Sequence, residues 1–244
     1  KGEKTSVFFT WPIPFSLATN PCEKPSETLL LIDRSGSMAS LGKNPPEPLS
    51  SVKEAAKYFT SLLRGGDRAG LISFATLATS PSDIALTSDV VSVQKSIDSI
   101  SILAGSTQYT NIADALNTAL AEFSIDKDLN GESENRKVLI VLTDGVPNRP
   151  GFPNGSKNEQ DDIVYAESVA LKYSSEAKKE GIEVFSIGLG KDIHKEFLDN
   201  LASAPDNSFI APSTSDLKNI YKSISSSICK EIPARIEMNY KFND

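Results

Sequence analysis

Three oxygen-bearing side chains follow an apolar run near the start of the chain. Asp33, Ser35 and Ser37 come directly after the leucine- and isoleucine-rich residues 29–32, where a buried strand is expected to end. One carboxylate and two hydroxyls on a tight turn are hard oxygen ligands, which a Mg²⁺-like cation prefers. The turn therefore predicts a metal-dependent binding site rather than a catalytic centre.

The elements that must position this turn alternate along the chain. Short apolar runs with little polar alternation are typical of strands covered on both faces of a parallel sheet, and they lie at Thr28–Asp33, Ala69–Ala75, Val138–Asp144, Glu183–Gly188 and Ser208–Ala211. The more polar stretch Thr76–Leu86 predicts a short edge strand. A period of 3.6 residues predicts helices at 51–63, 90–100, 111–123, 162–179, 193–201 and 216–228, the first with a capping box from Ser51 to Glu54.

This alternation predicts an α/β fold: a doubly wound, mostly parallel open sheet with amphipathic helices on both faces. Ligands of such sheets bind outside the carboxyl ends of the strands, where the strand order reverses. Asp144 ends the long buried run Val138–Asp144, and Thr110 lies where a helix begins. If the strands that end at Asp33 and Asp144 are neighbours, both carboxylates and the Thr110 hydroxyl meet at one crevice.

The resulting candidate metal site has two carboxylates and three hydroxyls, from Asp33, Ser35, Ser37, Thr110 and Asp144. Two carboxylates neutralise one divalent cation, and hydroxyls complete part of an octahedron without adding charge. Mg²⁺ tolerates few protein carboxylates and keeps waters, so at least one position is expected to stay exchangeable. An acidic oxygen from a partner could take that position.

These residues resemble the von Willebrand factor type A (vWA) family across about residues 28–229. Asp33-Arg-Ser35-Gly-Ser37 matches its Asp-x-Ser-x-Ser motif, Thr110 its single threonine and Asp144 its distal aspartate. The resemblance implies strand order 3-2-1-4-5-6 and a metal-ion-dependent adhesion site holding Mg²⁺, Mn²⁺ or Ca²⁺. It also implies direct metal contacts from the serines and the threonine, contacts from the aspartates often through water, and a ligand carboxylate that completes the coordination sphere.

The resemblance divides the chain into an N-terminal extension at residues 1–27, a vWA domain at 28–229 and a C-terminal extension at 230–244. Alternating apolar residues predict a strand over 234–242. This tail looks like the entry into a following β-sandwich repeat of bacterial surface adhesins. We therefore expect the chain to be one module of a longer multi-domain surface protein.

Two cysteines, Cys22 and Cys229, flank the regular pattern. They are either two unrelated buried thiols or a disulfide that joins the domain ends in an oxidising compartment. Such a disulfide would stabilise the fold by roughly 5 kcal/mol as an upper figure. Some extracellular vWA members clamp their ends in this way, so the resemblance favours the disulfide and a secreted or cell-surface location.

Composition excludes several classes of partner. The net charge of −7 argues against nucleic acid, which would require a basic face. No apolar run approaches the ~20 residues needed to span a bilayer, so we expect no membrane insertion.

A second, weaker candidate is a calcium loop. Asp126, Asp128 and Asn130 match the first half of the Asp-x-Asp-x-Asn-Gly pattern, but position twelve is Lys137 rather than the bidentate glutamate. A polar solvated turn is the favoured alternative for this segment.

The sequence therefore predicts a non-enzymatic extracellular adhesion module that binds a protein or glycan ligand with an acidic group through a divalent cation. An intracellular vWA scaffold or an ATPase-associated subunit is an alternative, because the same fold serves there. A metal-assisted hydrolase is a second alternative, but it needs a general base near an activated water. The only histidine, His194, begins a predicted helix and has no predicted catalytic partner.

Overall fold

The computed structural model describes residues 24–39, 44–102, 109–130, 134–151, 153, 155, 158–190 and 193–229. Cys22, the predicted strand over 234–242 and most of both terminal extensions lie outside these residues.

In the described part of the chain, six strands form one sheet in the order 3-2-1-4-5-6, which confirms the predicted fold class and strand order. The strands are β1 at Ser26–Asp33, β2 at Arg68–Phe74, β3 at Ile84–Thr87, β4 at Arg136–Thr143, β5 at Glu183–Leu189 and β6 at Ser208–Ala211. All neighbouring strands are parallel except the edge strand β3, which runs antiparallel to β2.

Among the described residues, six α-helices lie at or near the predicted positions. They are α1 at Leu49–Ser61, α2 at Val90–Ser99, α3 at Ile112–Asn130, α4 at Glu159–Lys179, α5 at Lys195–Leu201 and α6 at Leu217–Ile228. The predicted capping box from Ser51 to Glu54 is wrong, because α1 begins two residues earlier. The Glu47 carboxylate instead accepts a hydrogen bond from the Ser51 backbone nitrogen at 3.3 Å.

The sheet is covered by helices on both faces. On β1, Leu30 and Ile32 pack in the same core as buried residues of α1, α2 and α6. Leu29 and Leu31 pack in the second core with α3, α4 and α5. Since alternate residues of the central strands are buried on opposite faces, these strands carry the continuous apolar runs seen in the sequence.

The strand order reverses between β1 and β4, which lie side by side in the middle of the sheet. Their parallel register pairs Ile32 with Leu142. Asp33 and Thr143 therefore end neighbouring strands at the same edge, with Asp144 one residue beyond. This edge is the position at which doubly wound sheets bind their ligands.

Candidate metal centre

The turn after β1 is held by its own side chains. The backbone nitrogen of Ser35 donates to Asp33 Oδ1 at 2.8 Å, an Asx turn of the kind that aspartate favours. The Met38 nitrogen then donates to the Ser35 carbonyl at 3.1 Å and starts a short 3₁₀ helix, Gly36–Ala39. Met38 is fully buried in the core and anchors the turn, while Ser37 stays exposed at the rim.

Hydroxyls connect this turn to the end of β4. Ser35 Oγ lies 3.0 Å from Ser37 Oγ, and the Ser37 hydroxyl donates to Asp144 Oδ1 at 2.5 Å. Asp33 and Ser35 are buried, whereas Ser37 and Asp144 reach toward solvent. The two strand ends thus present a continuous set of oxygens that runs from the interior to the surface.

Thr110 is positioned by the start of α3 and by the loop after β4. The Asn111 side chain accepts a hydrogen bond from the Asp114 nitrogen at 3.1 Å and so caps α3. Asn148 and Arg149 donate their backbone nitrogens to the Thr110 carbonyl at 3.1 and 3.2 Å. The Thr110 nitrogen donates to Asn148 Oδ1 at 3.0 Å. Thr110 is therefore fixed at both backbone polar groups.

Gly145 shows that Thr110 faces the same space as Ser37. A Cβ atom built on Gly145 would lie 3.7 Å from Ser37 Oγ and 3.9 Å from Thr110 Oγ1. The two hydroxyls therefore flank one small space beside Asp144. All five residues of the candidate site lie together at the edge where the strand order reverses.

Both carboxylates of the site have a raised pKa. Complete burial, and next the charge of Asp144, raises the pKa of Asp33 to about 7. Burial also raises the pKa of Asp144, although the hydrogen bond from Ser37 opposes this shift. Because burial disfavours the ionised form of both groups, a cation between them would relieve an electrostatic cost.

The donor set fits a Mg²⁺-like ion. At Mg–O distances of 2.0–2.1 Å, neighbouring ligands of an octahedron are about 2.9 Å apart, close to the 3.0 Å between Ser35 Oγ and Ser37 Oγ. Both oxygens of Asp33 already accept hydrogen bonds, from the Ser35 nitrogen and from Thr143 Oγ1. Each oxygen keeps a further lone pair, which suits contact through water.

Four residues that support the site were not singled out by the sequence. Thr143 orients Asp33, Gly145 leaves room beside the hydroxyls, Asn148 holds Thr110 and Met38 anchors the first turn. Thr143 did leave a signal, as the one hydroxyl in an otherwise apolar strand end. The Asn148 contact joins residues 38 positions apart and has no local signature.

The residues of the candidate calcium loop do not form a loop. Asp126, Asp128 and Asn130 lie in the last turns of α3. The Asp126 carboxylate accepts hydrogen bonds from the Arg68 guanidinium and from the Asn130 amide, so three of its about four lone-pair sites are engaged. Within the described part of the chain, no group of three or more His, Cys, Asp or Glu side chains could hold a metal ion.

Among the described residues, the His194 side chain bonds to Glu167 rather than to one of the five candidate metal ligands. Its Nδ1 is 2.6 Å from Glu167 Oε1, across the contact between α4 and the start of α5.

Comparison with known proteins identifies the family to which the chain belongs. The von Willebrand factor type A domain model matches residues 29–223. The chain therefore belongs to the vWA family. Comparison with curated protein sequences gives no match.

Solved structures from several organisms share the fold. Proximal thread matrix protein 1 from the mussel byssus is 22% identical with a TM-score of 0.64, and the alignment covers 87% of this chain and 49% of that one. A further structure of the mussel protein has a zinc-occupied metal-ion-dependent adhesion site (MIDAS) motif. It is 21% identical with a TM-score of 0.63, and the alignment covers 87% of this chain and 48% of that one.

Bacterial pilus proteins are similar as well. The vWF domain of the pilus tip protein Mfa5 from Porphyromonas gingivalis is 13% identical with a TM-score of 0.65, over 87% of this chain and 98% of that one. The pilus adhesin SpaC from Lactobacillus rhamnosus GG is 19% identical with a TM-score of 0.64, over 86% of this chain and 31% of that one. The chain spans about half the length of the mussel protein and about a third of SpaC.

Proposed function

We propose that this vWA domain is a non-enzymatic adhesion module that binds a divalent cation and engages an acidic ligand through it. The observation that carries the proposal is the hydrogen-bonded set that joins Ser35, Ser37 and Asp144 at the reversal point of the sheet, with Thr110 on the other side of the same space. Mg²⁺, Mn²⁺ and Ca²⁺ are the proposed ions, since all three bind oxygen ligands.

The proposed coordination follows from burial. Ser35, Ser37 and Thr110 would contribute hydroxyl oxygens directly, and the buried Asp33 would act through its remaining lone pairs or a water. Ser37 and Asp144 border solvent, so a ligand carboxylate can approach from that side. A bound dication supplies the charge that attracts this carboxylate. The protein's own part is to hold five oxygens in place and to leave one position open.

Binding rather than catalysis is proposed because the two carboxylates of the site are placed to hold the cation and none of its five residues is a histidine. The only histidine of the chain is held by Glu167, and the hydroxyls of the site are arranged as ligands. The zinc-occupied MIDAS motif in the mussel structure supports metal binding by this fold. The similarity to pilus proteins supports adhesion as the role.

An extracellular or cell-surface location is part of the proposal. Among the described residues no cysteine is a free thiol, which agrees with the Cys22–Cys229 disulfide, although Cys22 lies outside those residues. No helix in the described ranges has the length and apolar character to cross a membrane. We also propose the domain limits 28–229, with extensions that lead into further parts of a surface protein.

The direct test is calorimetric titration of the whole chain with Mg²⁺, Mn²⁺ and Ca²⁺. Ser37→Ala and Asp144→Asn are expected to lower affinity at least about tenfold, because each removes a ligand or its partner. Ser99→Ala and Asp206→Asn are matched controls, since both side chains are exposed and lie outside the site. Wild-type protein that binds none of the three ions would refute the proposal.

Adhesion itself is tested on surfaces coated with matrix proteins or glycans. Binding that is lost with chelator and with Asp144→Asn, and kept in Asp206→Asn, is the expected result. If adhesion survives chelation, the ligand binds to another surface of the chain and not through the metal site.

A further inference from the structure

Three side chains beside Thr110 have no part in the metal site. Leu77 is 67% exposed and Tyr109 is 41% exposed, which places both among the large apolar side chains most open to solvent. Arg149 is half-buried. We call Leu77, Tyr109 and Arg149 the outer rim. Each of them belongs to a different segment, and all three segments meet at Thr110.

Hydrogen bonds hold the outer rim together. The Tyr109 nitrogen donates to Thr76 Oγ1 at 3.3 Å, and the Asn111 amide donates to the Thr76 carbonyl at 3.0 Å. The turn that carries Leu77 is therefore fixed against the segment that carries Thr110. Arg149 is attached to the same segment, since its nitrogen donates to the Thr110 carbonyl at 3.2 Å. The rim is thus preorganised beside the proposed metal site.

The Arg149 guanidinium stacks on Tyr109, with Cζ 3.6 Å from the ring centroid. One of its N–H groups donates to the Asn148 carbonyl at 2.7 Å. A guanidinium has five N–H donors in a rigid fork that matches a carboxylate. Among the described residues, no carboxylate forms an ion pair with Arg149. Stacking therefore fixes the orientation of a cation whose remaining donors are open to a ligand.

The chemistry of the rim distinguishes between classes of ligand. Because Arg149 covers one face of the Tyr109 ring, that face is closed to a stacking sugar. Leu77 offers an apolar surface, which suits an aliphatic or aromatic side chain better than sugar hydroxyls. Arg149 offers a second point of attachment for a carboxylate. These features together match an acidic segment of a protein.

We infer that the site binds its ligand at two points, one carboxylate at the metal and a second carboxylate at Arg149, with an apolar side chain against Tyr109 and Leu77. This inference rests on the proposed function and names its ligand class. Arg149 would then determine specificity, because it favours the binding of ligand segments with two acidic residues over segments with one.

The test uses synthetic peptides with one glutamate or with two glutamates at varied spacing, each with or without a neighbouring leucine. Binding to the whole chain is measured in Mg²⁺ and again in chelator. Two-acid peptides at the best spacing are expected to bind about tenfold tighter than one-acid peptides, because a one-acid peptide lacks the charged hydrogen bond to Arg149. Arg149→Gln should remove this preference, so that two-acid and one-acid peptides bind with equal affinity.

The pattern of losses separates recognition from a structural role. An equal loss for both kinds of peptide in Arg149→Gln would mean that Arg149 only supports Thr110, and would overturn the inference. Arg149→Lys is expected to keep part of the preference, because the charge remains but the fork is lost. Lys222→Gln, an exposed cation on α6, is the control and should change nothing.

The apolar contact has its own matched pair. Leu77→Ser should weaken peptides that carry the leucine, whereas Leu129→Ser should not, because Leu129 is 77% exposed near the opposite end of α3. If the wild type binds none of Mg²⁺, Mn²⁺ and Ca²⁺, the proposed function fails. If it binds Mg²⁺ but shows no preference for two acids, or binds glycans instead, only the present inference fails.

Discussion

Thr143 donates a hydrogen bond to Asp33, with Thr143 Oγ1 2.7 Å from Asp33 Oδ2. This bond joins the ends of the two central strands at the point where the strand order reverses. Both side chains are fully buried. The bond orients the Asp33 carboxylate and lowers its pKa, but burial and Asp144 outweigh it. Asp33 is thus a carboxylate whose ionised form the protein alone stabilises poorly.

The first prediction concerns the stability of the protein in chelator. Because the folded-state pKa of Asp33 is raised to about 7 from 3.8, its contribution to stability is fully present below the unfolded value and is lost as pH rises through 7. The free energy of unfolding of wild type should therefore fall between these pH values by an amount on the order of a few kcal/mol.

Urea unfolding of wild type and Asp33→Asn at a series of pH values from the unfolded pKa of 3.8 to above 7 measures this effect. The variant should lose less stability than wild type over the same interval, because an amide does not ionise. Saturating Mg²⁺ should raise the free energy of unfolding of wild type most at the higher pH, where the carboxylate is ionised. Parallel curves for the two proteins in chelator would show that Asp33 is not the titrating group.

The second prediction concerns the pH dependence of metal binding. A cation requires the ionised carboxylate, so it must displace the proton that Asp33 holds below pH 7. We expect the apparent affinity for Mg²⁺ to fall by up to about tenfold for each pH unit below that value. Titrations in buffers with different ionisation enthalpies should show proton release on binding at acidic pH. Affinity that is constant across pH 7 would contradict this account.

The general plan of the fold and the five candidate ligands could be predicted from local sequence. The run at residues 29–32 ends in a carboxylate, and the run before Asp144 does the same, so strand ends and polar residues coincide. Both runs are apolar because their strands are covered on both faces. The 3.6-residue period gave the positions of the helices, because each helix buries one face against the sheet.

Contacts between distant residues could not be predicted in this way. The start of α1 was placed two residues late, because Glu47 reaches forward to Ser51 and supports an earlier turn. The predicted end of α3 was seven residues short, since the polar turns beyond Phe123 continue the helix and Asp126 pairs with Arg68 of β2. The stacking of Arg149 on Tyr109 depends on two loops that only the folded sheet brings together.

The third prediction tests a residue that supports the site without belonging to it. Asn148→Ala removes the acceptor of the Thr110 nitrogen, which lies in a buried residue. We expect affinity for Mg²⁺ to fall about tenfold, as is usual when a residue that orients a metal ligand is lost. The fold should persist, because Asn148 lies in a loop.

Asn219→Ala is the matched control for that experiment, since Asn219 is an exposed residue of α6. Calorimetry gives the affinity, and thermal unfolding in chelator checks the fold. If Asn148→Ala binds Mg²⁺ as wild type does, Thr110 is held by other contacts or is not a ligand.

The fourth prediction concerns whether the end of the sheet near Cys229 affects the metal site at the opposite end. Cys229 follows α6, where the Arg136 guanidinium at the start of β4 contacts the carbonyl of Ile228. This end of the sheet is opposite to Asp33. The proposed disulfide with Cys22 should therefore stabilise the fold, by up to roughly 5 kcal/mol, without acting on the metal site.

The double variant Cys22→Ser/Cys229→Ser should unfold at lower urea concentration than wild type and bind Mg²⁺ with unchanged affinity. Mass spectrometry after alkylation should find no modified cysteine in native wild type and two after reduction and unfolding. Two modified cysteines without reduction would remove the disulfide from the proposal, and with it one argument for an oxidising compartment. A loss of Mg²⁺ affinity in the double variant would instead show that the two ends of the sheet are coupled, because Cys229 lies at the end opposite to the edge that carries Asp33 and Asp144.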